Sequence, residues 1–189
     1  MTLYRFIVLI TFDYRPQMRY PMKFFTKFLL FFLVSIQLLN AQQNISSARI
    51  EFVFVSKNVD GTIEGFQSSS VIIPEDLASS KFEGSVEVST LKTGNFLRDW
   101  NLKSGRYFDE ETYPRITFES SEVIAIESGF KVIGTITIKG ISKKLVWIFK
   151  QDGNTLIGAA TLFSSDFNIN IKKGREDNKV EINLILELS

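Results

Sequence analysis

The sequence predicts an all-β fold of about eight antiparallel strands in one domain, closed as a barrel or stacked as a sandwich. Three observations carry this. Apolar and polar residues alternate at strand spacing through most of the chain beyond residue 48, and none of these runs is followed by a clear helix. Turn signals such as Ser128-Gly129 and Asp152-Gly153-Asn154 separate the runs. About 148 residues remain once an N-terminal leader is set aside, a size that holds a full core or a core with a hole in it.

In chain order, RIEFVFVSK sets Ile50, Phe52 and Phe54 on one face. GTIEGFQSSSVIIP is a less regular strand region. KFEGSVEVSTL alternates Phe82, Val86 and Val88 against Glu83, Ser85, Glu87 and Ser89. RITFESSEVIAIE starts with Ile116 and Phe118 inward and runs to the Ser128-Gly129 turn. FKVIGTITIKG sets Val132, Ile136 and Ile138 against Thr135, Thr137 and Lys139. KKLVWIFKQDGNTLIGAATLF is two strands joined through Gly153-Asn154, because Gly and Asn accept positive φ. KVEINLILELS ends the chain with Val180, Ile182, Leu184, Leu186 and Leu188 on one face. Leu145–Phe149 and Leu184–Leu186 are apolar on both faces, which predicts that the helical segment of the chain covers part of the outside. Alternation alone describes a filled core as well as a hollow barrel.

Composition removes several chemistries. The chain has no Cys and no His, so disulfides, thiolate nucleophiles, imidazole metal ligands and a Ser–His–Asp triad are all excluded. No cofactor or metal is expected, and no nucleophile–base pairing is visible, so the chain reads as a binding protein and not an enzyme. Of its 22 Lys+Arg and 21 Asp+Glu, five and one fall in residues 1–41, leaving 17 and 20 beyond them. The resulting net charge of −3 gives no general attraction to nucleic acid.

The N-terminus reads as a targeting segment over residues 22–41: Lys23 and Lys27, then an uncharged apolar run from Phe28 to Leu39, then Ala41 before a cleavage. That run is too short to span a bilayer as a helix, so no stable membrane insertion is expected after cleavage. Without a Cys at the cut, a lipid-anchored lipoprotein is excluded. Residues 1–21 read as an over-extended start, residues 42–189 as the mature domain, and the location as periplasmic or secreted.

One stretch breaks the alternation: LKTGNFLRDWNLKSGRYFDEETYPRITF, Leu91 to Phe118. Its Thr93, Gly94, Asn95, Arg98, Asp99, Leu102, Ser104, Phe108, Asp109, Tyr113, Pro114, Ile116, Phe118 and the following Ser120 resemble the T-G-N-x-x-R-D-x-H-L signature and downstream residues of the YceI-like family. VIGTITIKGISKKL, Val132 to Leu145, resembles that family's strand and turn, and FSSDFNI, Phe163 to Ile169, a weaker last element. The resemblance implies an extended eight-stranded antiparallel lipocalin-like β-barrel with a short helical cap segment. It also implies an apolar tunnel holding a polyisoprenoid-type or other long-chain lipid. Asn101 stands where the family has His, Tyr107 replaces the first of a Phe pair, and Asn168 occupies a Gly position.

On this reading the candidate ligand-binding residues are Phe52, Phe54, Val88, Phe96, Arg98, Asp99, Trp100, Asn101, Phe108, Phe118, Ile136 and Trp147. Arg98 and Asp99 either meet a head group or cap the helix and tie it to the barrel. Phe96, Trp100 and Phe108 either line the mouth or form the apolar side of a covering helix. Asp109, Glu110 and Glu111 read as a solvated charge run, Asn44 as a chance glycosylation match, and Lys172–Asp177 as a hairpin turn. Function is expected to be the carriage or sequestration of a polyisoprenoid, quinone or fatty-acyl compound, with a homodimer left open. The alternative is a filled barrel that binds another protein.

Overall fold

A computed structural model describes the protein over residues 43–189. The expected leader at 22–41 and the residues before it lie outside the described residues. Nine strands form one antiparallel sheet: β1 (Ile45–Phe54), β2 (Val59–Ile63), β3 (Gln67–Ser68), β4 (Glu83–Glu87), β5 (Arg115–Ile126), β6 (Gly129–Ile138), β7 (Ile141–Asp152), β8 (Thr155–Phe163) and β9 (Lys179–Leu188). One α-helix, α1 (Phe96–Lys103), lies between β4 and β5. The strand order is β2-β1-β9-β8-β7-β6-β5-β4-β3.

The fold class read from the sequence stands, with one more strand than expected. GTIEGFQSSSVIIP supplies two short strands where one was read, because Gly65, at φ +68°, turns the chain between β2 and β3. The sheet curls until its ends meet, and they are laced rather than paired strand to strand. Thr62 of β2 exchanges backbone hydrogen bonds of 2.9 and 3.0 Å with Lys92, beyond β4, and Glu87 N–H donates to Glu64 O at 3.0 Å. Gln43 and Ile72 bond each other similarly. The two free edges are therefore short and tied, which limits edge-to-edge association.

Register follows from pattern and turns. The β6–β7 hairpin turns on Lys139 and Gly140, both at positive φ, the backbone that a right-twisted two-residue hairpin requires. A bulge between Ser120 and Glu122 shifts β5 against β6 and returns Val123 to the interior, 5% exposed.

The interior is divided. At one end Phe130 and Phe149 stack with ring centroids 5.3 Å apart, Phe82 lies 5.5 Å from Phe149, and Val132 and Leu156 are fully buried beside them. Toward the other end the inward residues of β1 and β9, Ile50, Phe52, Val180, Ile182 and Leu184, are only half-buried. Their side chains point inward at strand parity yet keep accessible surface, which is what facing a void looks like residue by residue. The outer surface corrects one expectation: Val146 and Ile148 stay 38% and 37% exposed, so the helical segment does not cover that face of β7. It turns inward instead.

Candidate functional site

The void is a cavity of about 620 Å³, within the range that holds small-molecule ligands. Its wall is mostly apolar. β1 gives Ile50, Phe52 and Phe54, β5 gives Ile116 and Phe118, β6 and β7 give Ile136, Trp147 and Phe149, and β9 gives Val180, Ile182 and Leu184. Phe118 meets Trp147 edge-on at 6.4 Å, a packing that fixes both rings in the wall.

Segment 91–114 closes over this space as a built structure. Asn95 caps α1, its side chain accepting from Arg98 N–H at 3.0 Å, as a helix N-terminus requires. Thr93 is the hub of a clasp. Its N–H donates to Asp99 Oδ1 at 2.9 Å and its hydroxyl also donates to that oxygen, while Arg98 Nε donates to Thr93 Oγ1 and Nη2 to Thr93 O, both at 2.6 Å. Beyond the helix, Phe108 N–H reaches Leu102 O, Asp109 N–H reaches Ser104 O, and Lys139 Nζ reaches Gly105 O from the β6–β7 turn at 3.0 Å. A loop this long satisfies its backbone internally, and the rigid result carries Arg98, Asn101, Leu102, Tyr107 and Phe108 into the cavity wall.

Of the twelve residues named from sequence, eight meet at the cavity: Phe52, Phe54, Arg98, Asn101, Phe108, Phe118, Ile136 and Trp147. Four do not. Val88 is 1% exposed in a short 3-10 turn after β4, where the strand alternation has ended. Asp99 is committed to Thr93. Phe96 and Trp100 lie on the side of α1 opposite Arg98 and are 80% and 69% exposed. The other reading, that Arg98 and Asp99 tie the helix down, describes Asp99 fully and Arg98 in part.

Arg98 is the unusual wall residue. Two of its nitrogens hold Thr93, its side chain is half-buried, and no carboxylate lies within salt-bridge distance among the described residues. Lys57, on the turn after β1, also lines the cavity without a carboxylate partner among the described residues. Glu83, the wall's carboxylate, is taken by Lys81 at 2.7 Å, and that bond holds its carboxyl below the usual range. Lys57, Asn101 and Thr117 are the exposed residues of the lining, and the cavity is partly open to solvent.

Sequence reasoning missed Lys57, Leu102, Val180, Ile182 and Leu184 as wall residues. The three on β9 were legible as one strand face, but nothing in alternation separates a wall residue from a packed one. Lys57 carried no signal. Asn168, at the family's Gly position, sits at φ +59°, a conformation Asn tolerates better than most side chains, so the turn keeps its shape. Among the described residues no group of three or more potential metal ligands comes together.

Residues 38–188 match the model of the YceI-like domain. A UPF0312 protein of Photorhabdus laumondii is 30% identical over 86 residues, a match covering 46% of this chain and 45% of that protein. A UPF0312 protein of Pseudomonas aeruginosa is 26% identical over 137 residues, covering 67% of this chain and 72% of its own length. Among solved structures, Burkholderia cenocepacia BcnA superposes with a TM-score of 0.66 at 20% identity, covering 77% of this chain and 99% of that one. A polyisoprenoid binding domain from Saccharophagus degradans gives 0.50 at 12% identity, covering 78% and 97%. At these identities the solved structures establish the fold.

Proposed function

The chain belongs to the YceI-like domain family, and from that premise we propose that it binds a long-chain amphiphile inside the barrel, with its anionic head at Arg98 and Lys57. The observation that carries this reading is a mostly apolar cavity of about 620 Å³ lined by two cations, Arg98 and Lys57, that have no carboxylate partner among the described residues.

Energetics select a long chain. Burying a methylene is worth about 0.8 kcal/mol, so ten give about 8 kcal/mol. Loss of translational and rotational freedom takes at least about 4 kcal/mol of that, leaving millimolar affinity. About sixteen carbons, or fewer with a head-group contact, reach the micromolar range. Polyisoprenoid, quinone and fatty-acyl chains all meet the length requirement. The cations favour those ending in a carboxylate or phosphate, since a guanidinium already anchored by Thr93 offers oriented donors at little entropic cost. The residues argue for holding such a molecule rather than transforming it. Carriage or sequestration outside the cytoplasm is the role proposed, on the leader-like pattern at 22–41.

The open cavity weighs against the alternative of a filled barrel acting only as a protein-binding module. Native mass spectrometry of the protein purified from its host, followed by solvent extraction, tests the proposal. The expected result is an extra mass that is released on denaturation and extracts as a long-chain acid or phosphate. An unladen mass, with no uptake of added fatty acids or isoprenoid phosphates, would sink it.

A further inference from the structure

The three most exposed large apolar side chains among the described residues stand together. Phe96, Leu97 and Trp100 of α1 are 80%, 73% and 69% exposed, while the other exposed large apolar side chains lie between 37% and 46%. They occupy adjacent positions on a single helix surface, with Phe96 and Trp100 four residues apart. The opposite side of the same helix puts Arg98 and Leu102 into the cavity wall. An eight-residue helix thus has a mixed side, Arg98, Asn101 and Leu102, serving the cavity, and an apolar side serving nothing among the described residues.

We infer that this outer surface docks the protein on an anionic lipid bilayer, seating the cavity opening at the interface where a long-chain molecule enters and leaves. The cargo clause, and the choice of a lipid surface over a protein partner, rest on the function proposed above; the exposed rings and the charge beside them do not. Charge selects the occupant. Lys103 and Arg106 have no carboxylate partner among the described residues, Lys92 is paired with Glu64 at 3.4 Å, and the one carboxylate between Lys92 and Arg106, Asp99, is turned to Thr93. The outward side of α1 carries Lys103 and no acid, and Lys139 is held at its end through Gly105 O. Acids resume beyond the helix, at Asp109, Glu110 and Glu111. The domain is net negative, but screening over about 8 Å makes local charge decide contact with a surface. Trp and Phe flanked by Lys and Arg suit the headgroup boundary, where an amphipathic helix lies with its apolar side down. A protein partner would also bury the rings, but the cavity gives a lipid surface something to deliver. A chain crossing water would expose every methylene at about 0.8 kcal/mol each, and docking at the opening removes that barrier.

The test uses vesicles of zwitterionic phospholipid with and without about a third anionic lipid. The chain has two tryptophans, Trp100 exposed and Trp147 only 7% exposed, so a change in the emission of exposed tryptophan reports Trp100. The expected result is a blue shift on anionic vesicles, quenching by brominated acyl chains, and loss of both in Trp100→Phe. Phe96→Ser/Leu97→Ser/Trp100→Ser should reduce flotation with vesicles at least tenfold while retaining uptake of a fluorescent fatty acid. Lys103→Glu/Arg106→Glu, a milder change, should lower binding severalfold on anionic vesicles only. Emission unchanged by vesicles, or flotation unaffected by the triple substitution, would overturn the inference. So would emission already blue before vesicles are added, or a doubling in mass abolished by the triple substitution; these would place another part of the chain or a second copy on the rings. Loss of fatty-acid uptake in the parent protein, with vesicle binding intact, would strike the cavity reading alone.

Discussion

A divided interior makes two leucines of similar sequence context behave differently. Leu156 on β8 is fully buried and stands off the cavity, while Leu184, on the neighbouring β9, is half-buried and faces the void. Leu156→Ala removes three carbons from a packed site. The transfer part is about 2.4 kcal/mol, and the new hole raises the total to roughly 3–5 kcal/mol. Leu184→Ala removes the same atoms from a side chain already partly accessible, next to space that exists without the substitution. Only about half the transfer part is lost, near 1 kcal/mol, and no new cavity is made. The gap between the variants is therefore about 2–4 kcal/mol. At roughly 2–4 °C per kcal/mol for a domain this size, that is a difference of about 4–16 °C in Tm. Urea and thermal unfolding of delipidated protein, followed by circular dichroism, measure it. Costs equal within about 0.5 kcal/mol would mean that the β9 side of the barrel is packed, and both the hollow interior and the binding proposal would fall with it.

Other outcomes follow from individual contacts. Arg98→Gln is expected to weaken binding of a long-chain carboxylate about tenfold and to leave the matched alcohol nearly unaffected; equal losses in titration calorimetry would deny Arg98 a head-group role. Asn101→His should make ligand affinity vary with pH around 6.5, the ordinary imidazole range, where the parent protein is flat; a pH-independent variant would remove position 101 from the binding end. Asn178, fully buried, accepts from Ile171 and Lys172 N–H and donates to Lys172 and Gly174 carbonyls, so Asn178→Ala should cost about 2–3 kcal/mol and expose Lys172–Arg175 to trypsin. The two-pronged hydrogen bond from Arg175 holds the Asp166 carboxyl below its ordinary value of 3.8. A depressed carboxyl stabilises the fold above that value and loses the contribution as pH falls below it, so Asp166→Asn should flatten the acid limb of stability against pH. An unchanged limb would show that other carboxylates, such as Glu83 beside Lys81, carry it.

The strand runs, their inward faces and the hairpin at Gly153-Asn154 were legible in the sequence because period-two alternation and turn chemistry are local. Ile50, Phe52 and Phe54 share a face whatever the rest of the chain does. So was the break at Leu91–Phe118, whose Asn95 cap and Thr93–Asp99 clasp span at most six residues. The ninth strand was not, since a turn at Gly65 competes with the short alternation on either side of it. Nor was the side of α1 that meets the barrel: Arg98 and Leu102 against Phe96 and Trp100 is decided by where β4 and β5 deliver the loop ends. Above all, alternation states which way Leu184 points but not whether anything fills the space it points into. That depends on the girth of the whole sheet and on how far the Phe82, Phe130 and Phe149 stack reaches along it. Those distances join residues far apart in the chain, and only the tertiary structure sets them.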